Sequence, residues 1–285
     1  MNCILIRYAE IGTKSKRTRR WWEKVFMKNI QDALKAHGVS FSSIHNPQGR
    51  IVVTTPDERA VEVMKNVFGV SSVSFAREVH RDIHVMKREA LLMYRERAQP
   101  GETFRISTQR LDKQFPLTSQ DVNASVGAFI VEQENAQVNL DNPDVDIGIE
   151  IMQKAAYVFV GRIPGHGGIP VGVQGKVLVN LEDRKSVLAA WMMLKRGCEL
   201  VVHGNKALHP YLEPFSYGHP IEYISNAEKA ENCLAAVFTE PKFEKRRMPS
   251  FYPLLALDNQ EIHAIGTFIF GKERYRITDL PPENK

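Results

Sequence analysis

One stretch, residues 165–197, constrains the fold of this chain more than any other. It reads as a glycine-rich turn (165–172), a short apolar strand (177–180), a connecting loop, and an apolar helix that ends at Gly197. A strand that feeds a helix through a short loop is half of a βαβ unit. An anion usually binds at the helix N-terminus of such a junction, because the amide N–H groups are unpaired and the dipole is positive there. The stretch therefore predicts a Rossmann-like α/β domain.

The loop at this junction lacks the glycines that let a backbone approach a phosphate closely. It consists of Leu181, Glu182, Asp183, Arg184, Lys185 and Ser186. The two acids place negative charge where a phosphate would lie, and the two long cationic side chains cannot replace a nest of backbone amides. We therefore expect this loop to bind no phosphate.

Composition excludes several classes of protein. With 285 residues, 43% of them hydrophobic and 25% charged, the chain is long enough for two globular domains and a small third one. No apolar run approaches the ~18 residues of a membrane span, and the N-terminus lacks the pattern of a signal peptide. We expect a cytoplasmic protein without a membrane partner. The scattered Cys3, Cys198 and Cys233 argue against a zinc ribbon or a disulfide framework, and favour buried thiols.

The sequence offers few catalytic or metal-binding patterns. No Gly-x-Ser-x-Gly elbow occurs, and His166, His203, His209, His219 and His263 are spread out without the spacing of a helical metal site. His203, His209 and His219 lie in one irregular stretch, so a metal cluster there stays open as a minor alternative. We predict no catalytic residue and no bound metal.

Positive charge is concentrated at the N-terminus. Residues 1–50 hold ten Lys or Arg against three acids, whereas the whole chain has a net charge of +5. A basic end on a near-neutral body is typical of a protein with a polyanionic partner. The basic residues beside and within the first predicted helix are Lys14, Lys16, Arg17, Arg19 and Arg20. Charge alone leaves two interpretations open, a phosphate-contacting patch and a solvated helix face.

The first block of the chain has the order βαββαβ, which predicts a ferredoxin-like domain over residues 1–76. Apolar spacing and turn residues define its elements. They are a strand at 3–8, a helix capped by Thr18 and ending near Ala36, a hairpin strand at 50–55, a helix from Pro56 to about Phe68, and a strand at 70–79.

The second block, residues 77–168, is predicted to be α/β. It has helices at 82–97 and, capped by Ser119, at 121–132, with strands at 103–108, 145–152 and 155–162. Arg105, Arg110 and Lys113 supply cations, and Phe115 supplies a ring on which a base could stack. The alternative is a core role for this ring, with the cations solvated.

The third block, residues 169–285, contains the βαβ unit and then becomes irregular. Beyond the second strand (198–203) we predict a helix at 226–238 and a strand near 248–256. Asp258 is the expected cap of a last helix at 259–268.

The stretch at 165–197 resembles the tRNA 4-thiouridine synthetase family. The residues that carry the resemblance flank the loop on both sides. They are Gly165, Gly167, Gly168, Pro170, Gly172, Ala189, Ala190, Met192, Met193, Lys195, Arg196 and Gly197. The family's Ser-Gly-Gly-x-Asp-Ser loop falls on residues 181–186, where only Ser186 is kept. The resemblance thus implies a shortened ATP-pyrophosphatase domain whose ATP loop is degenerate.

The other two blocks resemble the same family. The start, Arg7-Tyr-x-Glu-Ile-x-x-Lys14, is how these synthetases begin. The second block is similar to the THUMP domain, an RNA-binding module of tRNA-modifying enzymes. Its matching residues include Phe104, Arg105, Ile106, Arg110, Lys113, Phe115, Pro116, Ser119, Val126, Gly127, Val138, Pro143 and Ala156 to Phe159.

The resemblance implies a tRNA-binding protein that acts as a targeting or accessory factor in tRNA modification. Its implied RNA contacts are Arg7, Lys14, Lys16, Arg17, Arg19, Arg20, Arg105, Arg110, Lys113, Phe115, Gly165 and Gly168. The implied partners are tRNA and a separate modifying enzyme, a homodimer stays open, and no cofactor is expected. Two alternatives remain: a divergent ATP-dependent tRNA sulfurtransferase, which would use ATP, and a non-catalytic structural dimer module.

Overall fold

The structure is a computed structural model that describes residues 1–241 and 248–271. Its strands are β1 (Asn2–Arg7), β2 (Ser43–His45), β3 (Ile51–Thr54), β4 (Ser72–Val79), β5 (Thr103–Arg110), β6 (Gln137–Val138), β7 (Val145–Ile151), β8 (Ala156–Val160), β9 (Ile163–Pro164), β10 (Lys176–Leu181), β11 (Glu199–Gly204), β12 (Glu222–Tyr223), β13 (Cys233–Val237) and β14 (Ser250–Phe251). Its α-helices are α1 (Lys16–Ala36), α2 (Arg59–Lys65), α3 (Ile83–Arg97), α4 (Ser119–Glu134), α5 (Arg184–Lys195) and α6 (Asn259–Phe270).

The chain forms two compact units. Unit 1 comprises Met1–Gly12, Leu34–Lys65 and Val70–Gly165. Unit 2 comprises Thr13–Ala33, Asn66–Gly69 and the described residues from His166 on. Most of α1 therefore belongs to the unit that contains the C-terminal half of the chain.

Unit 1 is built on one mixed sheet. Its first four strands have the order β2-β3-β1-β4, all antiparallel neighbours, which confirms the predicted ferredoxin-like topology. The sheet then continues through β8, β7, β5 and β6, because β4 also pairs with β8. The predicted boundary after residue 76 falls inside β4, so the first two blocks share a sheet.

Both faces of this sheet are buried. Side chains alternate along each strand, so Phe104 and Ile106 of β5 pack with Val126 of α4 in a core on one face. On the other face, Leu5 and Phe159 belong to a second buried cluster. This second core matters for function because charged residues of β1 and β7 also point into that face.

Two helices of unit 1 begin within two residues of their predicted starts. Asp82 caps α3, accepting from the amides of residues 84 and 85. For α4, the prediction of Ser119 as the cap is wrong: Thr118 caps the helix and forms a reciprocal capping box with Asp121. The box satisfies two amides at once, whereas Ser119 is already helical.

The starts of α1 and α2 also differ from the prediction. Thr18 is not a cap, since α1 begins at Lys16, and the hydroxyl of Ser15 accepts from the Thr18 amide at 3.4 Å. Pro56 does not open α2, which begins at Arg59 after Asp57 accepts from the Arg59 amide at 3.0 Å.

Unit 2 contains a parallel five-stranded sheet in the order β12-β11-β10-β13-β14. The strand β10, the helix α5 and the parallel strand β11 form the predicted βαβ unit, which confirms the Rossmann-like class. The apolar residues of α5, including Val187, Trp191 and Leu194, are buried in the core of this unit.

The last third of the chain departs from the prediction. The predicted helix at 226–238 is wrong, because Cys233–Val237 forms β13 next to β10 and only Ala227–Lys229 is a short 3-10 helix. The strand predicted near 248–256 is limited to Ser250–Phe251. The prediction of Asp258 as the cap of the last helix is confirmed, with a capping box to Glu261.

Candidate functional site

The first turns of α1 and the residue before them form a basic surface on unit 2. The side chains of Lys14, Lys16, Arg17 and Arg20 are exposed, and no acidic residue lies in the first turn of the helix. No carboxylate of residues 1–241 and 248–271 pairs with Lys16, Arg17 or Arg20. Cations at a helix N-terminus oppose the helix dipole by about 0.3–1 kcal/mol each, unless an anion binds there. This surface therefore has the charge and the exposure that a phosphate contact needs.

Two of the predicted contacts in this segment are partly engaged. Nε of Arg19 lies 3.4 Å from a carboxylate oxygen of Glu23, one turn along the helix. Nζ of Lys14 lies 4.9 Å from the centre of the Trp22 ring, and that ring is buried. These contacts hold both cations beside the helix without covering them.

The glycine turn serves as a backbone support for α5. A Cβ on Gly168 would lie 2.3 Å from the carbonyl oxygen of Lys195, and the next amide, of Ile169, donates to that oxygen at 3.0 Å. A Cβ on Gly165 would lie 2.4 Å from the carbonyl oxygen of Val70. Close backbone packing therefore explains Gly165 and Gly168, and their implied contact with RNA has no independent support in the geometry.

A buried carboxylate in unit 1 accounts for Arg7. Oε1 of Glu150 accepts from Nε of Arg7 at 2.6 Å, and Oε2 accepts from Nε of Arg50 at 2.7 Å. Nη2 of Arg162 lies 3.4 Å from Oε1. The Glu150 side chain is 0% exposed and that of Arg7 is 6% exposed. Burial lowers the pKa of Arg7 to about 10, although the carboxylate favours the charged form. The implied contact of Arg7 with RNA is corrected: its guanidinium is an internal ion-pair partner.

An aromatic ring completes this arginine cluster. The guanidinium carbons of Arg7 and Arg162 lie 4.6 Å and 5.6 Å from the centre of the Phe159 ring. Gly148 of the neighbouring strand makes room for the ring, since a Cβ there would lie 2.1 Å from it. The cluster is a packed structural unit with only Arg162 substantially exposed, at 43%.

The predicted RNA contacts of the second block divide into internal and external residues. The guanidinium of Arg110 donates to the carbonyl oxygens of Phe115 and Leu117, at 2.9 Å and 3.0 Å, and so braces the loop before α4. Phe115 is only 5% exposed, so the prediction of an exposed stacking ring is wrong and the core alternative holds. Lys113 is exposed. Arg105 donates to a carboxylate oxygen of Asp146 at 2.6 Å.

A groove runs along the outer edge of β5 in unit 1. Its volume is about 840 Å³. The strand β6 pairs with β5 only at Thr103 and Phe104, so the rest of this edge is open to the groove. Its lining combines apolar and small residues with two arginines, and these include Ala124, Gly127, Val131 and Leu140, and Arg105 and Arg162. Such a groove can hold an extended chain that has both flat apolar and anionic parts.

The β10–α5 junction of unit 2 is closed by its own side chains. Asp183 caps α5, and its Oδ1 accepts from the Ser186 amide at 2.9 Å. The hydroxyl of Ser186 accepts from the amides of Glu182 and Asp183, at 3.0 Å and 3.1 Å. An internal carboxylate thus occupies the position that an anion would take at the helix N-terminus.

A cavity of about 550 Å³ adjoins this junction and is lined by three acids, Glu182, Asp183 and Glu240. Lys185 points its Nζ at Glu240, at 3.5 Å, and is the basic residue of the lining. Of the degenerate loop, Leu181 is buried and Arg184 lies with its guanidinium carbon 5.5 Å from the centre of the Phe270 ring. Among the described residues, the lining therefore holds more acids than bases, and their charge opposes a triphosphate.

Two cysteines and two histidines have surroundings that suit a structural role. Burial raises the pKa of the Cys3 and Cys198 thiols, to about 12 and about 11, which agrees with the predicted buried role. Nδ1 of His209 lies 3.0 Å from Glu213, and Nδ1 of His219 lies 3.4 Å from Glu199. In the described part of the chain, His, Cys, Asp and Glu side chains form no group of three that could hold a metal ion, and no helix is long and apolar enough to cross a membrane.

Sequence reasoning missed three functional or structural residues. The exposed Trp21 could have been found from the helical periodicity, which places Trp22 on the buried face. The capping role of Asp183 has a local signal in its spacing of three from Ser186. Glu150 has no such signal, because its partner Arg7 lies 143 residues away.

Comparison with known proteins places these features in a family. Residues 3–74 match the ThiI ferredoxin-like domain, and residues 80–161 match the THUMP domain. The probable tRNA sulfurtransferase of Thermococcus kodakarensis is 39% identical over 239 residues, covering 78% of this chain and 63% of that protein. The one of Methanocaldococcus jannaschii is 37% identical, covering 70% of this chain and 54% of that protein. The chain therefore spans only about half to three fifths of the length of these curated relatives.

Two solved structures are similar over nearly the whole chain. PH1313 from Pyrococcus horikoshii Ot3 has a TM-score of 0.85 and 34% identity, covering 94% of this chain and 99% of that one. A 4-thiouridine synthetase–RNA complex with bound ATP has a TM-score of 0.75 and 21% identity, covering 96% and 86%, and this likeness shows a shared fold. The two domain matches and the relatives show that the chain belongs to the tRNA 4-thiouridine synthetase, or tRNA sulfurtransferase, family.

Proposed function

We propose that this protein binds tRNA and acts as a targeting or accessory factor for a separate tRNA-modification enzyme, without ATP chemistry of its own. The proposed lack of ATP chemistry rests on the carboxylate of Asp183, which caps α5 where the family's loop would bind phosphate. A bound triphosphate would have to displace this cap and lie among acidic side chains. Both steps are unfavourable, because like charges repel more strongly in a partly buried cavity.

The tRNA-binding half is supported by exposed cations and by the THUMP match over residues 80–161. Lys16, Arg17 and Arg20 present charge without internal partners among the described residues. When such cations neutralise phosphates, counterions are released, so the affinity for tRNA should fall steeply as the salt concentration rises. The groove along β5 adds a second surface, with Arg105 and Arg162 among its lining residues.

A second candidate is a divergent ATP-dependent tRNA sulfurtransferase. Two observations favour it: the curated relatives are named probable tRNA sulfurtransferases, and the cavity at the β10–α5 junction has about 550 Å³ of space. In this alternative, ATP would enter that cavity by a route other than the family's phosphate loop.

One set of measurements separates the two candidates. The full chain is titrated with Mg-ATP in a calorimeter, with and without saturating tRNA transcript, and tRNA affinity is measured over a range of salt. The accessory role predicts salt-sensitive tRNA binding and no heat of ATP binding. Binding of ATP would contradict the accessory role. Formation of AMP and pyrophosphate from ATP in the presence of tRNA and sulfide would also contradict it.

A further inference from the structure

Trp21 is an unusual residue for its position. The other two tryptophans, Trp22 and Trp191, are 4% and 3% exposed, whereas Trp21 is 50% exposed on the surface of α1. Over residues 1–241 and 248–271, no ring contact or ion engages the Trp21 side chain. A large aromatic ring without a partner is a site where another molecule can bury apolar area.

The neighbours of Trp21 define the chemistry of that molecule. Arg17 lies four residues before it and Lys24 three residues after it, so both flank the ring on the same face of the helix. Arg20 and Lys24 are themselves four residues apart and extend the basic surface beside the ring, and all three cations are exposed. The ligand therefore has to combine a flat apolar face with closely spaced negative charge.

A nucleotide has these two parts in one unit, a base for stacking and a phosphate for the cations. In A-form RNA the bases are stacked within the helix and the major groove is too deep and narrow for side chains to read. A ring on the convex surface of a helix can reach a base only where the base is unpaired and turned outward.

We propose that Trp21 stacks on an unpaired nucleotide of the bound RNA, while Arg17, Arg20 and Lys24 contact the phosphates next to it. This inference rests on the proposed tRNA binding and adds the residue that recognises a single-stranded feature. Stacking is tolerant of base identity, since every base offers a flat face. Trp21 thus selects for an unpaired position rather than for a particular base.

The test uses the full chain and three RNA probes: a tRNA transcript, a single-stranded oligonucleotide and a blunt RNA duplex. Trp21→Ala should weaken binding of the first two by about 5-fold to about 150-fold, the range that corresponds to ~1–3 kcal/mol per stacked base. Binding of the duplex should be unchanged. The salt dependence should also be unchanged, because the substitution removes no charge.

Two further variants make the result specific. Trp21→Phe keeps a ring and should retain affinity to within a few-fold, while the quenching of tryptophan fluorescence on RNA binding should largely disappear. Phe251→Ala removes another exposed aromatic ring of unit 2, which is 47% exposed, and should leave RNA binding unchanged.

Several outcomes would overturn the proposal. If the wild-type chain binds tRNA and Trp21→Ala binds it equally well, Trp21 has no stacking role, although the proposed function stands. Equal losses for single-stranded and duplex RNA would assign the residue to general packing. If the wild-type chain self-associates and Trp21→Ala abolishes this, the ring belongs to an interface between copies. If the wild-type chain binds no RNA, both proposals fail.

Discussion

Two groups of cationic side chains in this protein have opposite surroundings. In unit 1, Arg7 and Arg50 donate to the buried carboxylate of Glu150 at 2.6 Å and 2.7 Å. In unit 2, Arg17 and Arg20 of α1 are exposed and have no carboxylate partner in the described chain. The first pair is committed to the fold, and the second is available to an external anion.

The difference shows that residue type alone does not identify an RNA contact. A buried cation is stable only when paired and hydrogen-bonded, so Arg7 cannot leave Glu150 without leaving a charge unpaired in the core. An exposed cation on α1 loses little when it exchanges water for a phosphate. Substitutions in the two groups should therefore have different consequences.

The largest effect is expected from Glu150→Gln, which neutralises the carboxylate that the cluster's arginines share while keeping the shape of the side chain. Breaking a buried ion pair by neutralising one partner typically costs ~3–5 kcal/mol. The free energy of unfolding, measured by urea denaturation, should fall by about that amount. Because Arg7 and Arg50 are internal, and only Arg162 of the cluster is substantially exposed, the folded protein should bind tRNA with an affinity close to that of the wild type.

Glu62→Gln is the matched control for this variant. Glu62 pairs with Lys65 at 2.7 Å but its side chain is 68% exposed, so the loss should stay within ~0–1 kcal/mol. Equal stability of the Glu150 and Glu62 variants would show that the buried cluster does not hold the sheet together. A stable Glu150 variant with weak tRNA binding would assign the cluster to RNA after all.

The second effect concerns the exposed group. Reversal of Lys16, Arg17 and Arg20 to Glu should weaken tRNA binding by about 150-fold, if each lost contact contributes ~1 kcal/mol. The slope of log affinity against log salt should fall by about 2–3, since each lost phosphate contact removes nearly one unit. Acids in the first turn favour the helix dipole, so the variant should be at least as stable as the wild type.

A control with the same change in net charge uses three exposed lysines that are not part of α1. These are Lys154, Lys206 and Lys229. Their reversal should leave the salt slope within about half a unit of the wild type, because each phosphate contact accounts for ~0.7–0.9. If both triple variants weaken binding equally, the protein attracts RNA through its total charge, and α1 is not a specific contact surface.

Local sequence patterns predicted much of the fold. The ferredoxin-like topology was predicted from the apolar strands, the glycines that end helices and the element order βαββαβ. The strands and the helix ends depend on neighbours within a few residues, so the sequence alone can indicate them. Errors arose where tertiary packing decides. The run Leu234-Ala-Ala-Val237 suits a helix by composition, yet it lies beside β10 as a strand of the parallel sheet.

The candidate site was less predictable than the fold. The sequence identified Lys16, Arg17 and Arg20 correctly as a basic group, and their exposure follows from helical periodicity. It did not place Arg7 in the interior and left a core role for Phe115 as an alternative, because burial depends on residues distant in the chain, such as Glu150 for Arg7. A residue can suit an RNA contact by its type, but it can make that contact only if the folded chain leaves its side chain exposed.

The helix N-termini of unit 2 repeat the contrast between committed and available groups. The first turn of α1 has no acid and is surrounded by cations, so its dipole adds to a positive field that attracts anions. At α5, the carboxylate of Asp183 accepts from the Ser186 amide at 2.9 Å and neutralises the same kind of dipole internally. The N-terminus of α1 is therefore open to a phosphate, whereas at α5 the carboxylate of Asp183 already accepts from the Ser186 amide.

The smallest effect tests the closed terminus. Asp183→Ala should lower the free energy of unfolding by ~0.5–2 kcal/mol, because it leaves the Ser186 amide without its acceptor. Glu182→Gln changes the charge of the same loop without removing the cap, and it should lower the free energy of unfolding by less.

If Asp183 occupies the position in which an anion would bind, phosphate should stabilise the Asp183→Ala variant more than the wild type. Thermal unfolding of both proteins with and without phosphate measures this difference. An equal response of both would mean that the junction excludes phosphate through its other acids, Glu182 and Glu240, and that the cap only stabilises α5.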